Sequence, residues 1–231
     1  MTRLALALAL LTTLMTPGAV FAAEKSPEPP ALFDSYVYGM ARSEAEKIPG
    51  IAPGEGDMAE ELILPGVTWV ERPWTARFIF DSDALIEISL VGPYTRESFN
   101  AIRAQMTQEQ NEIFGIVLDD RALDLFSLIS AGGVDGFRAR FSELLREKVP
   151  TRISYNYFST KEIPSEVRQR ATNITQLLGM VENTIKETEV TLIGDGNGSA
   201  PQVIVVSFTY PVLDVFRNPP DELRDTLSPA R

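Results

Sequence analysis

Ala76-Arg77-Phe78-Ile79-Phe80, then Asp81-Ser82-Asp83, then Leu85-Ile86-Glu87-Ile88-Ser89-Leu90-Val91 is the stretch that decides the fold class. In the first segment Ala76, Phe78 and Phe80 share one side of an extended chain. In the second, Ile86, Ile88 and Leu90 do so while Glu87 and Ser89 point away. The triplet between them suits a tight turn, because Asp and Ser side chains bond their own backbone. With Val67 to Glu71 ahead, the pattern predicts a three-stranded antiparallel meander.

Upstream, Ser43-Glu44-Ala45-Glu46 reads as a capping box with Ser43 at the N-cap, opening a short helix that Pro49-Gly50 stops. The glycine- and proline-rich run from there to Gly66 predicts an irregular loop. Downstream, helices are expected over Thr95–Gln105, Ala122–Ile129 and Val134–Lys148, the last from the spacing of Val134, Phe137, Phe141, Leu144 and Leu145. Ile113–Leu118 is a compact apolar run that periodicity leaves open between strand and helix. Ile153, Tyr155 and Tyr157 alternate with polar residues as a half-buried strand does.

After Pro164, the residues Val167, Ala171, Ile174, Leu178, Val181 and Ile185 form one long helical stripe. Val190–Ile193 and Val203–Tyr210 flank the polar loop Gly194–Pro201 as a hairpin. Val203–Val206 is apolar on both faces, as in a central strand. Helices and antiparallel strands in blocks give an α+β class, with meanders packed against amphipathic helices. Gly39-Met40 and Gly179-Met180 each precede strands, but their surroundings differ, so there is no internal repeat.

The chain opens with Arg3, an apolar run from Leu4 to Thr16, Pro17-Gly18 and a small-residue end at Val20 and Ala22. This is the order of a secretory signal peptide cut before Ala23. The run of about 13 residues is shorter than the roughly 20 that span a bilayer. The domain plan is a signal peptide at 1–22, a flexible Pro-rich lead at 23–31, an α+β domain at 32–216 and a flexible tail at 217–231. A division into two small subdomains within 92–133 stays open. No cysteine lies near the cut to carry a lipid. Cysteine-free export fits a bacterial periplasm better than a eukaryotic secretory route, so the expected location is periplasmic or secreted. No transmembrane span is expected after cleavage.

Across its 231 residues the chain sets 21 Lys and Arg against 32 Asp and Glu, a net charge of −11, and 44% of it is hydrophobic. Such a chain buries a core, and its charge repels phosphate backbones, so nucleic-acid binding is not expected. Histidine and cysteine are both absent. That removes His general bases, thiol nucleophiles, disulfides and the usual zinc and haem ligands. The S-x-x-K, G-x-S-x-G, P-loop and dinucleotide glycine patterns are missing too. No cofactor or metal is expected.

What remains for catalysis is carboxylate chemistry, with Glu60/Glu61, Asp81/Asp83 and Asp119/Asp120 as doublets. Asp195-Gly-Asn197-Gly-Ser199 resembles the start of a calcium loop, yet Ala200 and Val206 stand where an EF-hand needs Gly and Glu. Asn173-Ile-Thr175 and Asn197-Gly-Ser199 fit the glycosylation pattern. Between Arg138 and Arg152 lie five basic residues (Arg138, Arg140, Arg146, Lys148, Arg152) against Glu143 and Glu147. That run offers either an anion-binding surface or the solvated face of a helix. Trp69 and Trp74 are either anchors for a partner or core residues.

Residues 38–91 carry Tyr38-Gly39-Met40-Ala41-Arg42-Ser43-Glu44, a short helix ending at Gly50, and the hairpin from Arg77 to Ile88. This order resembles the SmpA/OmlA family of small envelope lipoproteins. The resemblance implies a non-enzymatic binding module of the envelope. The chain departs from the pattern in lacking the lipidation cysteine, in Ala45 and Pro49, and in roughly 140 further residues.

Taken together these readings predict a soluble periplasmic non-enzymatic binding or accessory protein. Its partner would be an envelope protein or an anionic envelope component, met through Trp69, Trp74, Arg138, Arg140 and Arg146. The alternatives are a carboxylate-dependent hydrolase of an envelope polymer and a small-ligand carrier. Oligomeric state is not legible in the sequence.

Overall fold

The structure is a computed structural model that describes residues 28–147, 149–181, 185–197 and 200–213. The expected signal peptide 1–22, the first part of the expected lead and the expected tail 217–231 lie outside the described residues, as does Ser199. Two short strands, β1 (Ala31–Phe33) and β2 (Tyr36–Val37), form an arm, followed by a single helical turn, α1 (Arg42–Ala45). Then come β3 (Ala52–Pro53), a 3₁₀ turn at Gly56–Met58, β4 (Leu62–Trp69), β5 (Arg72–Asp81) and β6 (Ala84–Pro93). Next are α2 (Arg96–Gln108), β7 (Asn111–Leu118), β8 (Arg121–Asp124) and α3 (Leu125–Glu147). The chain continues through β9 (Arg152–Ser159), α4 (Ser165–Arg170), α5 (Ile174–Leu178), β10 (Glu187–Ile193) and β11 (Val203–Thr209).

Nine of these strands make one antiparallel sheet in the order β3-β4-β5-β6-β11-β10-β9-β7-β8. The class is α+β and dominated by its sheet. The expected meander is β4-β5-β6, and β11 stands fifth of nine, the central place its apolar run predicts. Residues 92–133, where a division was open, carry α2, β7, β8 and the first part of α3, and strands on both sides of them belong to this sheet.

One face of the sheet is apolar. Ala76, Phe78, Ile88, Leu90, Ile204 and Val206 on it are fully buried. Ile102 and Met106 of α2 and Leu32 and Phe33 of the arm cover this face in one continuous cluster. Farther along, Phe137, Phe141 and Leu144 of α3 close over Ile116, Leu118 and Leu123. Each large side chain so buried contributes about 1.5–3 kcal/mol. Gly92 of β6 is required here: a Cβ on it would stand 2.8 and 2.9 Å from two carbons of the Trp74 ring.

The arm is tied down by aromatic contact. Phe33 stacks on Phe208 at 5.2 Å, Trp69 meets both rings edge-on, and the Tyr210 hydroxyl donates to the Ala31 carbonyl at 2.9 Å. The Lys186 ammonium lies 4.7 Å from the centre of the Phe208 ring. Burial pushes its pKa down, while Glu109 and Glu162 pull it back up.

Several elements differ from expectation. The helix α1 starts at Arg42, with Ala41 as its N-cap and no side-chain cap from Ser43. Ala41 is held extended by its bridge to Ala84, so the turn begins two residues earlier and ends within one turn. The loop expected to Gly66 instead contains β3, the 3₁₀ turn and the first half of β4, with a bulge between Leu64 and Val67 absorbing Pro65-Gly66. In β6 the ladder slips so that Phe80 faces Leu85 and Ile79 faces Glu87. Ile86 is the extra residue of that bulge, and Leu85 takes the buried place assigned to it. The apolar run 113–118 is strand.

Ala122–Ile129 divides between β8 and α3, because the Asp124 carboxylate ends the strand by accepting from the Ser127 amide at 3.1 Å. Helix α3 is broken at Gly133, whose φ is +65°. The stripe from Val167 to Ile185 is built from two short helices, α4 and α5. Ala171 is extended, and the Asn173 side chain caps a new start by accepting from the Gln176 amide. The stripe residues still gather in one cluster with Phe114 and Phe158.

Replacing Gly92 with Ala should cost about 1–3 kcal/mol by driving a methyl into the Trp74 ring, read as a lower denaturant midpoint by tryptophan fluorescence. A second expectation concerns alkali. Burial, with Glu162 nearby, pushes the Tyr210 phenol up to about 12. The neutral phenol therefore stabilises the fold fully below its unfolded value of about 10, and that contribution is lost as pH rises through about 12. Tyr155 and Tyr157, also raised by burial, act with the same sign. Tyr210→Phe should lose about 1 kcal/mol at neutral pH with the hydrogen bond to Ala31 and unfold less steeply above pH 10 than the parent, as followed by circular dichroism.

Candidate functional site: the second face of the sheet

Strand geometry sends alternate side chains to the other face, where polar residues mix with valines; Arg77, Glu189 and Asn156 are half-exposed there, while Ser89, Ser154 and Thr191 are buried. The pairing registers align one transverse row across seven strands: Arg77, Ser89, Ser207, Glu189, Asn156, Gly115 and Asp124. A parallel row holds Thr75, Val91, Val205, Thr191, Ser154, Val117 and Ala122. Helices α4 and α5 cover only one corner of this face, over Phe114 and Phe158.

The polar groups satisfy one another. Ser89 and Ser207 share a hydrogen bond of 2.7 Å, and the Ser89 hydroxyl lies 2.7 Å from a Glu87 carboxylate oxygen. Arg77 donates twice to the Glu61 carboxylate, an arrangement that raises the guanidinium pKa chiefly through that hydrogen bond. Asn156 donates to Glu187 at 2.6 Å. Glu189 Oε1 accepts from Thr191 Oγ1 at 2.8 Å and from the Arg152 guanidinium at 2.9 Å, and Ser154 Oγ lies 2.8 Å from Thr191 Oγ1. Burial pushes the Glu189 carboxyl up, but the hydrogen bonds from Ser154 and Thr191 and the Arg152 charge outweigh it and hold the pKa below the ordinary value.

At the end of the row, Asp124 accepts from the Ser127 amide and, with its other oxygen, from the Ile174 amide at 2.9 Å. It therefore fixes the starts of α3 and α5 together. None of the buried side-chain polar atoms among the described residues lacks a partner.

No family, curated protein or solved structure matches the chain. Its chemistry has to be taken from this geometry alone.

Most of the residues singled out in the sequence lie elsewhere; Glu61 and Arg152 are the ones that join this network. Trp74 is 4% exposed on the apolar face and donates its indole N–H to the Trp69 carbonyl; Trp69 is half-buried beside it. Arg138, Arg140 and Arg146 are exposed on α3, but the run is dispersed. Arg138 pairs with Asp135 at 3.5 Å, Arg140 with Glu143 at 2.6 Å, and Arg152 points to Glu189 on the second face.

Of the carboxylate doublets, Glu61 holds Arg77, Asp81 and Asp83 frame a hairpin turn, and Asp119 accepts from the Thr151 amide and hydroxyl and the Arg152 amide. Asp195 accepts from the Asn197 amide in a local turn. Among the described residues no group of three or more acidic side chains is placed to hold a metal ion. No helix among them is long and apolar enough to cross a membrane.

Sequence reasoning missed Glu87, Ser89, Glu187, Glu189 and Ser207 as a group because β6 lies far in sequence from the β10–β11 hairpin that it meets. Strand alternation did mark Glu87 and Ser89 as pointing away from the core.

Because the folded-state pKa of Glu189 is depressed, its stabilisation is present above the unfolded value of about 4.3 and is lost as pH falls through the folded value. Glu189→Gln should therefore flatten the loss of stability below about pH 4. At neutral pH it should cost about 1–3 kcal/mol, by weakening the contact with Arg152 and Thr191. Urea unfolding between pH 3 and 7 reads both effects.

Proposed function

We propose that the protein is exported by a signal peptide at residues 1–22 and acts in the periplasm as a non-enzymatic binding or accessory protein of the cell envelope. The observation that carries this reading is the second face of the sheet. It is a broad surface whose polar groups are already hydrogen-bonded to one another, so it presents a preorganised pattern at small entropic cost. Glu189, the carboxylate most engaged there, is held ionised, which is the opposite of what a general acid needs. The absence of His and Cys from the sequence supports the same reading.

The resemblance of residues 38–91 to SmpA/OmlA-type envelope proteins supports it further, since that stretch forms a helical turn followed by a meander. The partner in this reading is another envelope protein or an anionic envelope component. Arg138, Arg140 and Arg146 on α3 are a second place for such contact.

The test is a crosslinked pull-down of the tagged mature chain from envelope extract, with an unrelated exported protein as control. One or two specific partners are expected. Val205→Glu together with Thr75→Lys, both half-exposed on the second face, should remove them. Retention of every partner by that variant would refute the assignment of the face, and an empty pull-down would count against a protein partner.

A further inference from the structure

The sheet has an open edge of a particular kind. Strand β8 pairs with β7 only from Gly115 to Leu118, and at Asp124 the chain leaves the sheet for α3. The Asn111–Phe114 part of β7, which ends in a bulge at Phe114, therefore has β9 on its inner side and, among the described residues, no strand on its outer side. A cavity of about 310 Å³ lies against this stretch of β7. It is bounded by Glu112 and Phe114 of β7, by Leu125 and Phe126 where α3 begins, and by Arg168 and Ala171 of α4 and its end.

Phe114 and Phe126 stack at 5.6 Å and make an aromatic wall. Glu112 and Arg168 pair across the mouth at 2.8 Å, with side chains 56% and 36% exposed. An exposed pair of this kind is worth under about 1 kcal/mol, so it is a weak latch.

We infer that this notch accepts an extended peptide segment of a partner protein, which adds a strand to the outer edge of Asn111–Phe114. A row of backbone N–H and C=O groups is complemented best by another backbone, and strand addition draws affinity from main-chain bonds and specificity from pockets for alternate side chains. The notch sets both requirements side by side. One apolar side chain of the segment enters between Phe126 and Ala171. A lysine or arginine two positions away displaces Arg168 from Glu112, a choice that the overall charge of −11 favours. This inference goes beyond the reading of the second face and uses different residues.

Panning a random twelve-residue peptide display library on the mature protein tests it. Enriched peptides should alternate apolar with basic residues and should protect from hydrogen exchange those amides of Asn111–Phe114 that do not already bond β9. Glu112→Lys, a substitution at an exposed position, should weaken the best peptide about tenfold. Gln169→Trp, a large ring at an exposed position on the cavity wall, should abolish binding, while Val205→Glu should leave it unchanged. Failure to enrich any peptide above background would overturn the inference. So would peptides indifferent to both notch variants, or protection confined to another part of the chain.

Discussion

The ladder between β6 and β11 is the contact on which the remainder of the architecture depends. It pairs Ile88 through Pro93 with Phe208 through Val203 and joins a meander from the first hundred residues to strands from the last half of the chain. Without it there are two smaller sheets, each with a raw edge in the middle of the present core. With it, Ile88, Leu90, Ile204 and Val206 form one buried row, and Ser89 and Ser207 meet on the opposite side. The same register that closes the apolar face therefore sets the hydrogen-bonded row of the other. A slip of one residue would send both sets of side chains to the wrong faces.

Much of this was legible because strands alternate and the core is apolar. The meander, the β10–β11 hairpin, the central place of β11 and the helix α2 all follow from local patterns. Others are decided by contacts between distant residues. Ser43 was a sound N-cap by sequence, but the bridge of Ala41 to Ala84 fixes the start of α1 elsewhere. The stripe from Val167 to Ile185 reads correctly as one buried face. Its division into two helices depends on the Asn173 cap and on Asp124, fifty positions away, accepting from Ile174. Strand β8 is four residues long and has too little sequence to show a period of two.

The candidate surface was harder to see for the same reason. Tryptophans and arginines stand out in a sequence because they are rare or clustered, yet Trp74 serves the core and the arginines of α3 are spread around a helix. The polar network of the second face is built mainly of serines, threonines, glutamates and one asparagine, residues that carry little signal within their own segments. Only the registers of six ladders bring them into line. A chain without histidine and cysteine still builds a demanding polar network, and it does so from hydroxyls and carboxylates at two-residue spacing.

The position of β11 also has a consequence in time. Its hydroxyl partner pair, Ser89 and Ser207, is 118 positions apart in sequence, and the strand enters between two others rather than at a border. A ribosome releasing this chain from its N-terminus leaves the sheet unable to close until nearly the last described residue has emerged. Pairing over such separations is slow, because loop-closure entropy is lost before contacts repay it. The late arrival of one central strand thus keeps the nascent chain open until synthesis of the sheet is nearly complete.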